Sequence, residues 1–192
     1  TRRRARGGGG WLWCASRHHD PKPAELLPLS PSHERGNEGI GQLTAGNERV
    51  TTPAVIDEIK NGVAAFPELQ DVLDLAWLRV EHADSLDQLR LFAKYAARLG
   101  SDVHDIGEAS VLAWAEAHGA IAFTDDEAAV LAGRDEGVEV RRTLAVVARG
   151  IRQGVLTDVE ADRLVDDLLR GGGRFPFGSG EFVRWAREQG IL

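Results

Sequence analysis

Two pairs of carboxylates stand where helices are predicted to begin. Asp105 and Glu108 precede an apolar helical pattern, and Asp125 and Asp126 follow a short apolar run. Each pair has a structural explanation, because Asp105-x-x-Glu108 and Thr124-x-x-Glu127 both have capping-box spacing, and acids near a helix start favour its dipole. If the two pairs converged, however, their charges would repel one another unless a cation lay between them.

The elements that position these carboxylates alternate between helix and strand. The run 120–123 has the profile of a buried parallel strand, a helix is predicted over 127–135, and another strand over 138–140. Right-handed crossovers close such a unit into a parallel sheet flanked by helices, and sites in such sheets lie beyond the carboxyl ends of the strands. The sequence therefore places Asp125 and Asp126 at a candidate site.

A single α/β domain is predicted around that unit. The strands expected to form one mainly parallel sheet lie near 50–52, 77–80, 121–124 and 138–140. Residues 46–192 are predicted to be this domain with a helical C-terminal extension. Residues 1–45 are rich in arginine, glycine and proline without periodicity, so we expect them to be poorly ordered or foreign to the fold, and 1 to about 40 to add little to the core. Residues 11–14 are expected at most as an isolated strand.

Composition limits the classes of function. The chain of 192 residues has 43% hydrophobic and 28% charged residues, and a net charge of -7. That charge argues against a nucleic-acid binder held by phosphate contacts alone, but not against an enzyme that reaches phosphates through metal ions. The single cysteine, Cys14, excludes an internal disulfide and fits a reducing, cytoplasmic compartment. No apolar run approaches the roughly 20 residues of a membrane span, and the scattered histidines are assigned no role.

Four short motifs occur in an order and spacing that resemble those of PIN-domain nucleases. Residues 51–59 (TTPAVIDEI) resemble the start of the family's second helix, and 105–109 (DIGEA) look like the Asp-x-Gly-Glu-Ala signature of its VapC-like branch. Residues 123–126 (FTDD) resemble its acidic strand-end motif, and 137–144 (GVEVRRTL) its Gly-Ile/Val-x-Val-x-Gly-Thr-Leu segment. The resemblance extends from about residue 49 to the C-terminus. It implies a three-layer α/β/α fold with a central, mainly parallel sheet.

The resemblance also implies a chemistry. PIN domains are typically ribonucleases whose acidic residues converge on Mg²⁺ or Mn²⁺. By motif, Glu58, Glu108 and Asp126 would be the catalytic metal ligands, with Asp125 as a fourth ligand or beside them. A bound ion of this kind can activate water for attack at phosphorus. The implied partner is RNA, joined by an antitoxin protein if the chain is the toxin of a toxin–antitoxin pair, and by a second copy if it forms a homodimer.

The first strand departs from the family pattern, which begins with a buried strand ending in Asp. Asp20 lies at about the right distance before Glu58 but is followed by a proline-rich segment, whereas the stretch 11–16 resembles a first strand with Cys14 in place of the Asp. Arg142 also stands where the family usually has glycine. Three hypotheses therefore stay open: an active ribonuclease, a catalytically weak PIN-like protein that binds RNA or a protein partner, and an α/β protein of unrelated function.

Overall fold

The computed structural model describes residues 13–15, 48–100, 103–170 and 173–192. They form two compact units, one ending at Arg142 and one beginning at Thr143. The first unit contains, in chain order, β1 (Trp13–Ala15), β2 (Arg49–Thr51), α1 (Pro53–Gly62), a 3₁₀ turn (Pro67–Leu69), α2 (Gln70–Leu73), β3 (Arg79–Val80), α3 (Leu86–Leu99), α4 (Val103–His118), β4 (Ile121–Phe123), α5 (Glu127–Asp135) and β5 (Glu139–Arg141). The second contains α6 (Thr143–Arg152), α7 (Asp158–Arg170) and α8 (Phe182–Glu188).

The first unit is built on a five-stranded sheet with the order β3-β2-β1-β4-β5. β2 is parallel to β3, β4 is parallel to β5, and β1 is antiparallel to both β2 and β4. Four strands therefore share one direction and β1 alone runs against them. The α/β class with a mainly parallel sheet is confirmed, and the four predicted strands lie within about two residues of β2, β3, β4 and β5. The carboxyl edge is defined here as the edge at which these four strands end.

Strand β1 corrects one expectation. It is not isolated, because Cys14 pairs with Val50 on one side and with Ala122 on the other, which puts β1 in the middle of the sheet. Its antiparallel direction also means that β1 ends at the edge opposite the carboxyl edge. The rest of the predicted N-terminal segment, including Asp20, lies outside the described residues, so the boundary near residue 45 stays a prediction.

The core of the first unit lies between the sheet and helices α3, α4 and α5. Helix α4 is deeply buried, and its Val111 and Leu112 are almost fully inaccessible to solvent. Burial of each such side chain contributes about 1.5–3 kcal/mol. Gly133 lets α5 approach closely, since a Cβ there would lie 2.5 Å from Val140 Cγ2 and 2.8 Å from Leu112 Cδ2. Helix α4 ends as predicted at Gly119, whose φ of 60° favours glycine. This packing holds α4 rigidly, and with it the carboxylates of its first turns.

The second unit has its own core. Val147 of α6, Val165 of α7 and Phe182 of α8 are buried together. Two aspartates of α7 tie down the start of α8, because Asp162 Oδ1 accepts the Val183 amide at 2.9 Å and Asp166 Oδ1 accepts the Gly180 amide at 2.7 Å. Within the described parts of both units, no helix combines the length and the apolar character needed to cross a membrane.

Candidate active site at the carboxyl edge

Two strands bring their following residues to the carboxyl edge. β2 leads through Thr52 into α1, which carries Glu58, and β4 leads through Thr124 and Asp125 to Asp126 at the start of α5. Because β2 and β4 run in the same direction on either side of β1, both crossovers begin at the same edge. Sites in parallel sheets lie at such edges. The sheet therefore places the predicted residues from α1 and α5 on one side of the molecule.

A chain of hydroxyl groups fixes the start of α4 at that edge. Ser110 Oγ donates to the Gly107 carbonyl at 2.7 Å, which uses its only proton, so Thr52 Oγ1 donates to Ser110 Oγ at 2.6 Å. Thr52 precedes α1, yet its side chain makes no capping bond to that helix. Each of these bonds contributes about 1 kcal/mol. Together they hold the turn that carries Glu108 against the end of β2.

Glu108 is partly buried, and one of its two carboxylate oxygens has no hydrogen-bond partner. Its Oε2 is shielded from solvent and has no hydrogen-bond donor. Burial, with repulsion from Glu58, Asp126 and Asp105 added to it, raises the pKa of Glu108 to about 7, and a hydrogen bond from its own backbone amide acts against that rise. Repulsion between charges weakens with their separation, so groups that act on Glu108 lie near it. The structure thus brings the three predicted catalytic acids, Glu58, Glu108 and Asp126, into one electrostatic neighbourhood.

Asp126 lies in this group of acids and also caps a helix. It is the N-cap of α5, where Oδ1 accepts the Ala129 amide at 2.9 Å, and its own amide donates to Thr124 Oγ1 at 3.2 Å. The suggestion that Thr124 caps this helix is therefore wrong, because the helix begins later than a Thr124 capping box requires. Capping occupies one carboxylate oxygen of Asp126, whose side chain is exposed. Asp125, next to it, is partly buried.

Asp105 belongs to the same neighbourhood, although it was not predicted as a site residue. α4 begins at Val103, so Asp105 lies inside the first turn and not at the cap, which corrects its interpretation as a capping-box residue. Its carboxylate lies against Gly100, where an added Cβ would be 2.4 Å from Asp105 Oδ2.

Sequence reasoning also missed Thr52 and Ser110, because their contact joins residues 58 positions apart. The one local signal was a threonine ahead of a helix.

The donor set at the carboxyl edge suits a hard divalent cation. It consists of carboxylates, which are the oxygen ligands that Mg²⁺ and Mn²⁺ prefer. Their mutual repulsion and the buried Glu108 Oε2 without a donor are both relieved by a positive charge. Among the residues that the structure describes, no three His, Cys, Asp or Glu side chains already form a ready-made metal-binding group. The predicted ligand set of Glu58, Glu108, Asp125 and Asp126 stays a prediction.

The fold and the residues at the carboxyl edge define a class of protein. It is an α/β protein with acidic residues beyond the ends of its parallel strands. The DUF3368 family, described as a PIN domain, matches residues 40–177, and the chain belongs to this family. Membership of the PIN-domain family indicates a nuclease-type function. No curated protein and no solved structure gives a significant match to the chain.

Proposed function

We propose that the chain is an endoribonuclease that depends on Mg²⁺ or Mn²⁺, with the ion held by Glu58, Glu108 and Asp126 and with Asp125 beside them. The observation that carries the proposal is the state of Glu108. It has a buried oxygen without a hydrogen-bond donor and is repelled by three neighbouring carboxylates. A buried oxygen left without a hydrogen-bond donor costs about 1–3 kcal/mol, so its presence favours a functional explanation over a structural one.

When bound, a divalent cation supplies an activated water and stabilises the charge that develops on a phosphate. The protein's part is to hold the carboxylates in place. The bonds from Thr52 through Ser110 to Gly107 fix the turn that carries Glu108. The cap on Ala129 fixes the direction of Asp126. Without a cation, Glu108 retains a proton up to about pH 7, which limits the repulsion within the cluster.

Further parts of the proposal rest on the resemblance of 105–109 and 137–144 to the VapC-like branch. We place the chain in that branch, as a cytoplasmic toxin that an antitoxin protein neutralises and that acts as a homodimer. Comparison of cell growth with and without induced expression, and again with Asp126→Asn, tests the toxin role. Growth arrest by the wild type and not by the variant supports the toxin role, whereas equal growth of all cultures contradicts it.

A second candidate function is a weakly active PIN-like protein that binds RNA or a protein partner. The direction of β1 favours it. β1 runs antiparallel to β2 and β4 and ends in Ala15 at the edge opposite the carboxyl edge, so it is not the parallel first strand ending in Asp that the family pattern has. An incomplete ligand set holds metal less tightly and cleaves more slowly.

Cleavage of a mixed RNA pool in Mn²⁺, in Mg²⁺ and in EDTA separates the two candidates. We expect cleavage by the wild type with either metal and none in EDTA. Asp126→Asn is the sharpest variant, because Asn caps a helix about as well as Asp and only the charge is lost. Asp87→Asn, in the exposed first turn of α3, is the matched control. RNA binding without metal-dependent cleavage by the wild type favours the second candidate.

A further inference from the structure

Arg142 stands at the carboxyl edge directly after β5. Its neighbour Arg141 pairs in register with Phe123 of β4, and the Thr124 amide donates to the Arg141 carbonyl at 3.1 Å. The ladder between the two strands therefore continues to their ends. Arg142 comes to lie beside the loop that carries Asp125 and Asp126.

The guanidinium of Arg142 is anchored to that loop. Nη1 donates to the Asp125 carbonyl at 3.5 Å, and Nη2 forms an ion pair with the carboxylate of Glu127. The Arg142 side chain is 40% exposed. A guanidinium has five N–H donors in a planar fork, and these two contacts use only part of them. A permanent positive charge is thus held next to the acidic cluster and remains accessible.

A polyanionic substrate meets an electrostatic obstacle at this edge. Glu58, Glu108, Asp105 and Asp126 form a negative cluster, and the whole chain has a net charge of -7. A cation held by the carboxylates offsets that charge for the reacting phosphate only. A neighbouring phosphate of the same strand needs a separate positive group, and the planar fork of arginine matches a phosphate in two parallel hydrogen bonds.

We propose that Arg142 binds a backbone phosphate of single-stranded RNA next to the reacting one and so holds the strand across the carboxyl edge. This role rests on the proposed ribonuclease function, which it deepens by assigning a substrate contact. Arg142 would exchange its ion pair with the exposed Glu127 for the phosphate while keeping its bond to the Asp125 carbonyl. Such an exchange costs little, because an exposed ion pair contributes only about 0–1 kcal/mol.

The neighbouring Arg141 provides a matched control. Its Nε donates to Glu139 Oε1 at 2.7 Å within the same strand, and its side chain has a similar exposure of 32%. The two arginines are adjacent, carry the same charge and form ion pairs with carboxylates. They differ in that only Arg142 follows the end of the strand, at the loop of the acidic cluster. A general effect of net charge should therefore be the same for both.

Fluorescence anisotropy with a labelled short single-stranded RNA tests the role of Arg142 in the full-length chain. Binding is measured in Ca²⁺, which carboxylates can hold in place of Mg²⁺ or Mn²⁺, and again in EDTA, with the RNA checked to be intact after each titration. Salt is varied from about 50 to 200 mM. Each phosphate contact to a single strand adds about 0.7 to the slope of log K against log salt. We expect Arg142→Gln to reduce the slope by about 0.7 and to weaken binding about fivefold at 0.1 M salt. Arg142→Lys should retain most of the slope, and Arg141→Gln should match the wild type.

Equal effects of Arg142→Gln and Arg141→Gln, or no effect of either, would overturn the proposal, as would wild-type protein that does not bind the RNA. Cleavage in Mn²⁺ by the wild type is measured in parallel. Cleavage that persists while the two glutamine variants bind alike removes the role of Arg142 and leaves the ribonuclease. Loss of binding in Arg142→Gln alone, without cleavage by the wild type, supports the RNA contact and removes the ribonuclease.

Discussion

Helix α4 carries two glutamates with opposite surroundings. Near its C-terminal end, Glu116 accepts hydrogen bonds from Lys94 Nζ at 2.7 Å and from Tyr95 Oη at 2.5 Å. Burial there raises the pKa of Glu116, but the bonds from Lys94 and Tyr95 outweigh burial and lower that pKa overall. Near its N-terminal end, Glu108 is surrounded by acids, and burial with their repulsion raises its pKa to about 7.

The difference separates a neutralised carboxylate from one that we propose binds a cation. Lys94 also bonds to Glu136 at 3.1 Å, so Glu116 belongs to a neutralised network that joins α3, α4 and the end of α5. Such a network fixes how helices pack. The cluster at Glu108 gathers like charges at the end of a sheet, where it costs stability in the absence of a cation. Glu108 and Glu116 are the same residue type in the same helix. Their surroundings differ in the sign of the neighbouring charges, and we base the difference in proposed role on that sign.

The largest effect expected from this comparison is on catalysis. Glu108→Gln should reduce RNA cleavage by about a hundredfold or more, because a metal ion contributes several kcal/mol to the reaction. Glu116→Gln should leave cleavage within about twofold, since Glu116 lies in the neutralised network. Initial rates with a fluorogenic RNA in saturating Mn²⁺ measure both variants. Similar losses in the two variants would remove the distinction between the two ends of α4.

Removal of the Tyr95 hydroxyl should affect stability more than any other single change in the network. Tyr95→Phe keeps the buried ring and deletes the bond to Glu116. A hydrogen bond to a charged group contributes about 1.5–3 kcal/mol, so the free energy of unfolding should fall by that amount. Urea denaturation followed by circular dichroism measures the change. A difference below about 0.5 kcal/mol would show that the network does not stabilise the packing of α3 on α4.

The two glutamates should also respond to pH with opposite signs. For Glu108 the folded-state pKa of about 7 lies above the ordinary 4.5, so the native state binds more protons between these values and stability falls as pH rises. Glu108→Gln should therefore match the wild type below pH 4.5 and, without metal, exceed its stability above pH 7 by about 1–2 kcal/mol after allowance for solvent screening.

For Glu116 the lowered pKa gives stability that is present above its ordinary value and is lost as pH falls. Glu116→Gln should therefore be less stable than the wild type at neutral pH and approach it in acid. Urea midpoints from about pH 4 to pH 8, without metal, measure both comparisons. A parallel pH dependence of the two variants relative to the wild type contradicts the opposite signs.

The smallest effect is expected from the hydroxyl chain at the start of α4. Thr52→Val keeps the shape of the side chain and deletes the bond to Ser110. We expect the free energy of unfolding to fall by about 1 kcal/mol and the cleavage rate to fall by less than in Glu108→Gln. Thr157→Val in the second unit removes a hydroxyl that accepts the Glu160 amide at the start of another helix, and it serves as the control. An equal loss of cleavage in both variants would show that stability alone determines the rate.

Features that depend on neighbouring residues were predictable from the sequence. The apolar run before Thr124 specifies β4, Gly119 ends α4, and the start of α5 follows from the acids near Asp126. Features that join distant residues were not. The direction of β1 depends on pairing with β2 and β4, and the neutralisation of Glu116 depends on a lysine 22 positions away. The resemblance of 105–109 to a family motif pointed to Glu108, but the charges around Glu108 and Glu116 come largely from other elements of the fold and could not be read from the neighbouring residues.

Calorimetric titration of the wild type and four variants with Mn²⁺ at neutral pH tests the central claim most directly. The claim is that Glu58, Glu108 and Asp126 hold one divalent cation. We predict that the wild type binds Mn²⁺, that Glu58→Gln, Glu108→Gln and Asp126→Asn each weaken binding by about tenfold to a hundredfold or more, and that Glu116→Gln binds as the wild type does. Wild-type protein that takes up no Mn²⁺, or binding that Glu108→Gln leaves unchanged, would contradict the claim.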